Sequence, residues 1–177
     1  MYRKGYGRMT LSCWLRLELE PCSIPAALVG GILASLIGLL QKFFSKSPYP
    51  VLLALGIGEI TPPVWLMVLL WTVALFTVGA SAGLVLSFRE RGCDGSKYRA
   101  GMFFILLLVS EYLWYAVFFG AMLVFLSVLL SILILCLAVA LTVLSARVSR
   151  LVAGILVLHD LWIIYLLILN FAVLFRS

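Results

Sequence analysis

At 177 residues, 65% hydrophobic and only 11% charged, with a mean hydropathy of +1.22, the chain has the composition of an integral membrane protein. A soluble domain runs nearer roughly half apolar and a quarter charged, so that class is excluded, and the length suits one domain of a few spanning helices. The net charge of +6 fits membrane topology better than nucleic-acid binding, and Cys13, Cys22, Cys93 and Cys136 lack the spacing of a zinc site or a disulfide framework.

Residues 1–23 read as a basic tail, with Arg3, Lys4, Arg8 and Arg16 interspersed among apolar residues and Glu18 and Glu20 near the end. The apolar core that follows is longer than that of a secretory signal and stops at Lys42 and Lys46 without a small-residue cleavage site, which predicts a retained helix. This first span covers about 24–44. Ala26, Gly30, Ala34 and Gly38 recur along it at every fourth residue. Such a flat face lets another backbone approach closely. It serves either packing within the bundle or a homodimer contact.

The connector 45–61 holds Pro48, Pro50, Gly56 and Gly58 around an apolar centre. It is too apolar for a solvated loop and is expected to lie on the bundle or across the mouth of a cavity. Pro62-Pro63 opens the second span, about 62–88, since proline suits a helix's first turn. Gly79 and Gly83 give that span a second small-residue pair. Residues 89–99 form a hydrophilic loop. The run 100–146 then carries a single charge, Glu111, and is too long for one crossing of a hydrocarbon core about 30 Å thick. It must fold back, and Gly120 marks the expected hinge between spans at about 100–119 and 122–146. A basic turn, 147–150, leads into the fifth span, about 151–175. The fold expected is an all-α bundle of five transmembrane helices over 24–176.

Charge orients the spans. Arg3, Lys4, Arg8, Arg16, Arg89, Arg91, Lys97, Arg99, Arg147 and Arg150 fall on one side, and Lys42, Lys46 and Arg176 on the other. The positive-inside rule then places the N-terminus in the cytoplasm. The host is the cytoplasmic membrane in a prokaryote or an organelle membrane in a eukaryote.

Catalytic signatures are missing: no P-loop, HExxH, GxSxG, CxxC or glycine-rich dinucleotide turn occurs. His159 is the only histidine, so a histidine-based metal cluster is excluded and no metal is expected. Polar groups inside the spans are few: Glu111, His159, Asp160 and Asn170, with scattered Ser and Thr. A carboxyl group in hydrocarbon is costly, which makes Glu111 a candidate site residue; its structural alternative is a protonated carboxyl bonded to a neighbouring helix. His159 suits a haem ligand or an interhelical hydrogen bond, and His159-Asp160 a local pair or a cavity wall. Trp65 and Trp114 fit either an interfacial belt or a pocket. Trp71 and Trp162 sit deeper, where indoles wall a flat apolar pocket or pack the bundle.

Three blocks carry a resemblance. Pro62-Pro63-Val64-Trp65 with Trp71 and Gly79, then Glu111-Tyr112-Leu113-Trp114-Tyr115-Ala116-Val117-Phe118-Phe119-Gly120-Ala121, then Leu161-Trp162 with Leu169-Asn170-Phe171, occur in order. They resemble the PPxW, NWxWxxxFFGA and AW…LNY blocks of the translocator protein/tryptophan-rich sensory protein family, the peripheral-type benzodiazepine receptors. The resemblance implies a five-helix bundle, usually dimeric, with a pocket opening toward the first connecting loop. It implies binding of porphyrin or haem as ligand, of isoquinolines and, in animal members, of cholesterol, with no required cofactor.

By position the implied pocket comprises Pro62, Trp65, Trp71, Glu111, Trp114 and Trp162, with Leu166 where the family keeps a small residue. Photochemical porphyrin degradation, proposed for some bacterial relatives, would fall to Trp71 and Trp162. The chain departs from the family pattern at Glu111, Tyr112, Tyr115-Ala116 and Leu158-His159, in the Ile57-Gly58-Glu59-Ile60 segment, and at Phe171 in the cholesterol-type motif. The function expected is a receptor or carrier for a large apolar planar ligand, a tetrapyrrole first and a sterol-like molecule second. Glu111 would hold a polar edge or a basic group. A proton-coupled transporter working through Glu111 is the alternative. The partners expected are the lipid bilayer, the ligand and, for the dimer alternative, a second chain, with no nucleic acid.

Overall fold

Backbone N–H and C=O groups find no water in hydrocarbon, so an apolar chain crosses a bilayer with its hydrogen bonds closed within each segment, as helix. A computed structural model describes residues 24–44, 62–87 and 96–175. Among them the chain is all helical: α1 Ile24–Phe44, α2 Val64–Ser87, α3 Ser96–Tyr115, a π-helical turn Ala116–Gly120, α4 Val124–Ala146 and α5 Arg150–Leu174. Helices α2 to α5 are long and apolar enough to cross a membrane, and α1 adds the shorter apolar stretch Ile24–Leu40. The architecture is a five-helix membrane bundle. The N-terminal tail, the connector 45–61 and most of the 89–99 loop lie outside the described residues.

Small residues set the α1–α2 contact. A Cβ placed on Gly30 would run into the Gly79 carbonyl oxygen and lie 3.1 Å from its carbon; one on Gly83 would meet the Ala26 carbonyl. A Cβ on Gly79 would meet the Gly30 carbonyl and sit 2.7 Å from the Ala34 methyl. The two backbones therefore touch, which only glycine allows. The Ala26, Gly30, Ala34 and Gly38 stripe thus faces α2 of the same chain. Ser35 Oγ reinforces this contact by donating to the Thr72 carbonyl at 3.3 Å. The opposite face of α1, including Leu28, Ile32 and Leu36, is exposed, as suits a lipid-facing surface.

Two short turns close the other half. At the α4–α5 turn, Ser149 is extended (φ −153°, ψ 128°) and its side chain accepts from the Val152 N–H, while its own N–H donates to the Ser145 carbonyl at 2.8 Å. Serine at this position satisfies orphan groups of both helix ends. The reversal between α3 and α4 lies at 121–123, just after the expected hinge. Its left-handed residue is Met122 (φ 57°), and a Cβ on Gly120 would meet nothing within 4 Å. Gly120 thus ends the π-helical turn, and Met122 makes the bend.

Because both turns are tight hairpins, α3 and α5 run parallel with α4 antiparallel to them; a Cβ on Gly101 at the start of α3 would lie 3.3 Å from Leu86 at the end of α2, so α2 is antiparallel to α3 as well. The core where they meet contains the fully buried Leu75, Leu107, Leu141, Leu156 and Leu169 and an aromatic cluster.

Candidate functional site

Seven aromatic rings converge from α2, α3, the π-helical turn and α5. Trp71 stacks on Trp114 at 5.6 Å between ring centroids, and meets Tyr115 at 5.7 Å and Trp162 edge-on at 6.3 Å. Trp114 stacks in turn on Phe118 at 5.3 Å, and Tyr165 packs on Trp162 at 5.3 Å. Phe119 closes on Tyr115 at 4.9 Å. The π-helical turn explains how consecutive Phe118 and Phe119 are both buried: the extra residue per turn brings both rings inward. Such wide turns occur often at functional sites. These stacked and edge-on geometries are the favourable ones for rings.

The rings fill nearly all the space. The gap left among Met67, Val68, Trp71, Trp114, Tyr115, Phe119 and Leu166 is about 20 Å³. That is room for about one water molecule, and far below the roughly 300–1,000 Å³ of ligand pockets. Leu166 is buried beside this gap, and its bulky side chain narrows it.

The cluster is polar at its edges. Trp114 Nε1 donates to Asn170 Oδ1 at 3.4 Å, an oxygen that also accepts from Ser127 Oγ at 2.7 Å. Asn170 Nδ2 donates to the Leu166 carbonyl at 2.7 Å, which fixes the amide. By contrast Trp71 Nε1, Trp162 Nε1 and the Tyr115 and Tyr165 hydroxyls are buried with no hydrogen-bond partner among the described residues. Buried polar atoms are nearly always satisfied, so four around one cluster is unusual.

One helical turn away lies an acid–base pair. His159 Nε2 and Glu111 Oε1 are 2.6 Å apart and both residues are buried. His159 lies nine residues into α5, roughly 14 Å along its axis, well inside the membrane. His159 Nδ1 faces Asp160 Oδ1 at 3.8 Å, and Asp160 Oδ2 accepts from Thr142 Oγ1 of α4 at 2.9 Å. Glu111 precedes Trp114 by three residues and His159 precedes Trp162 by three, so pair and cluster share the same faces of α3 and α5. Of the two roles open to His159, the interhelical hydrogen bond is the one formed. Haem ligation through Nε2 would require breaking it.

The structure brings together Trp71, Trp114, Trp162 and Leu166, with Glu111 a turn away. Trp114 is buried, which removes the interfacial-belt alternative for it. Pro62 is half-buried and Trp65 is 67% exposed; neither lines the gap among the rings, and Trp65 fits the belt alternative. Tyr115 and the pairing of His159 with Glu111 are additions to the sequence reading. A signal for the pairing exists: lone ionisable groups in different spans tend to find each other.

No curated protein and no solved structure matches the chain. A family model described as TspO/MBR family matches residues 25–176, the whole of the bundle. The chain belongs to the TspO/MBR family.

Proposed function

We propose that the chain is a membrane receptor or carrier that binds a large, planar, apolar ligand among Trp71, Trp114, Tyr115 and Trp162. A tetrapyrrole such as protoporphyrin or haem is the first class to test, and a sterol-like molecule the second. The observation that carries this reading is the set of buried, unpartnered N–H and O–H groups around the rings. A ligand with acceptor atoms at its edge would satisfy them and lie flat against the indoles.

Binding requires opening. A plane inserted between two rings needs about 7 Å, two contacts of about 3.5 Å each, against the 5.6 Å that separates Trp71 from Trp114. Trp71, on α2, must therefore move away from Trp114 on α3. Ring–ring stacking lost in this step is replaced by ring–ligand stacking, which keeps the net cost small.

Tryptophan fluorescence of the purified protein in detergent, titrated with protoporphyrin and then haem, tests the reading. Saturable quenching near micromolar ligand, weakened by Trp71→Phe and by Trp162→Phe, is the expected result. Nonsaturating quenching shared equally by all three proteins would mean partition into detergent and would overturn it.

The Glu111–His159 pair favours a second reading, a transporter that couples ligand movement to a proton. Ligand flux into proteoliposomes that ignores an imposed pH gradient would remove it. For either reading the basic bias of the loops puts the N-terminus on the cytoplasmic side, so Cys93 should react with an impermeant maleimide only from that side.

A further inference from the structure

We propose that the ligand taken by this site is a lipophilic cation, a protonated alkylamine that carries aromatic rings, and that it enters in exchange for a proton held by Glu111, His159 and Asp160. This rests on the receptor reading above for a ligand held among the rings, and departs from the tetrapyrroles named there, whose carboxylates give them the opposite charge.

Few ionisable groups of the described helices face the pair. Helix α3 contributes Glu111, with Tyr112 and Tyr115 beside it; α5 contributes His159, Asp160 and Tyr165. Helix α2 carries no titratable side chain, and α4 carries only Cys136, which is exposed. Lys and Arg within the described helices are confined to terminal turns. Two carboxyl groups therefore flank one imidazole, with no fixed positive charge in the interior turns of the described helices.

The three groups together are neutral only when they hold two protons, whichever atoms carry them. With one proton fewer they bear a negative charge, which is costly in hydrocarbon without a counter-ion. A monovalent cation supplies that counter-ion. One cation in and one proton out leaves the buried charge unchanged, so the exchange avoids isolating a charge in the membrane.

The surroundings suit such a ligand. Aromatic faces attract cations, most strongly when both are removed from water; Trp114 and Tyr115 lie one turn along α3 from Glu111, Trp162 lies one turn along α5 from His159, and Trp71 packs on all three rings. Acceptor atoms on the body of the amine would partner the Trp71 and Trp162 N–H groups. A ligand bearing carboxylates would find no Lys or Arg in the interior turns of the described helices. Glu111 and His159 are buried in the core, whereas the Asp160 side chain is 14% exposed and accepts from half-buried Thr142, so the polar groups run from the core to the edge of the bundle.

Tetraphenylphosphonium and tetraphenylborate have the same shape and opposite charge, and together they test the proposal. Equilibrium dialysis of both against the full-length protein in nonionic detergent, with protoporphyrin dimethyl ester as a neutral planar probe, gives the three affinities. Saturable phosphonium binding at least roughly tenfold tighter than borate is expected, a difference equivalent to one charge contact. Its affinity should rise with pH, and one proton should appear per phosphonium bound in weakly buffered solution. Glu111→Gln, and separately Asp160→Asn, should reduce the phosphonium preference several-fold.

Equal affinities for phosphonium and borate in the unmodified protein, or binding without proton release, would overturn the cation proposal. Saturable binding of the porphyrin ester in that case would leave the receptor reading standing. Absence of saturable binding by all three probes would overturn both. The comparison in the unmodified protein decides the matter even where a variant fails to fold.

Discussion

Glu111 and His159 meet at 2.6 Å inside the bundle, each the partner that makes the other tolerable in the membrane. They come from parallel helices, α3 and α5, so their bond also ties together two elements that no hairpin connects. Removing one partner leaves an unpaired ionisable group in an apolar core, which typically costs about 3–5 kcal/mol.

His159→Leu should accordingly lose about 3 kcal/mol of stability, while the double replacement Glu111→Leu with His159→Leu should recover most of it. Reversible unfolding in mixed detergent micelles measures both. A double variant as unstable as the single one would show that the two residues matter separately rather than as a pair.

The α1–α2 contact yields a sharper contrast between glycines. A methyl group at Gly79 would meet the Gly30 carbonyl and the Ala34 methyl, and neither backbone can yield without separating the helices. Gly79→Ala should cost about 1–3 kcal/mol by overpacking. Gly154 lies within α5 with nothing near its Cβ position, so Gly154→Ala should be neutral or gain up to about 1 kcal/mol from helix propensity. The same unfolding assay ranks them, and equal effects would mean that α1 is not held by backbone approach.

These two regions differ in how far the sequence discloses them. The glycine contact is legible: small residues at every fourth position on α1, and Gly79 with Gly83 on α2, announce close approach, although not that the partner lies in the same chain. The five spans are legible too, as long apolar runs separated by basic turns. The state of the aromatic cluster is not. Indoles that line a pocket and indoles that stack on one another share the same helical spacing, so only coordinates reveal a gap of about 20 Å³. The wide turn Ala116–Gly120 is likewise hidden, because Ala-Val-Phe-Phe-Gly reads as ordinary apolar helix.

The bend after that turn gives the next prediction. Met122 adopts φ 57°, a conformation costing a side-chain-bearing residue about 1–2 kcal/mol, and most for β-branched ones. Stability should follow the order glycine, methionine, isoleucine at this position. Met122→Gly should gain less than the full strain because glycine is freer when unfolded, by about 0.5–1 kcal/mol. Thermal melts in a single detergent decide the order, and Met122→Ile as stable as the parent would remove strain from the account.

Asn170 supplies the last test, because it is the fixed acceptor on which the cluster hangs. Its Oδ1 takes Trp114 Nε1 and Ser127 Oγ, while its Nδ2 is held by the Leu166 carbonyl. In Asn170→Leu, Ser127 keeps a partner in the Val124 carbonyl at 2.7 Å, but Trp114 Nε1 is left without Asn170 Oδ1. An orphaned buried donor costs about 1–3 kcal/mol, with the lower end expected from a bond as long as 3.4 Å. Trp114→Phe removes the donor itself, so Asn170→Leu should cost less in that background by about 1 kcal/mol. Four proteins unfolded under one condition close this cycle. The Trp114 emission spectrum supplies a second readout, since loss of its fixed acceptor should shift the emission maximum in Asn170→Leu while Trp71 and Trp162 keep their own surroundings. Strict additivity with an unshifted spectrum would mean that stacking on Trp71 and Phe118 alone places the Trp114 ring, and that the Asn170 amide serves α4 and α5 through Ser127.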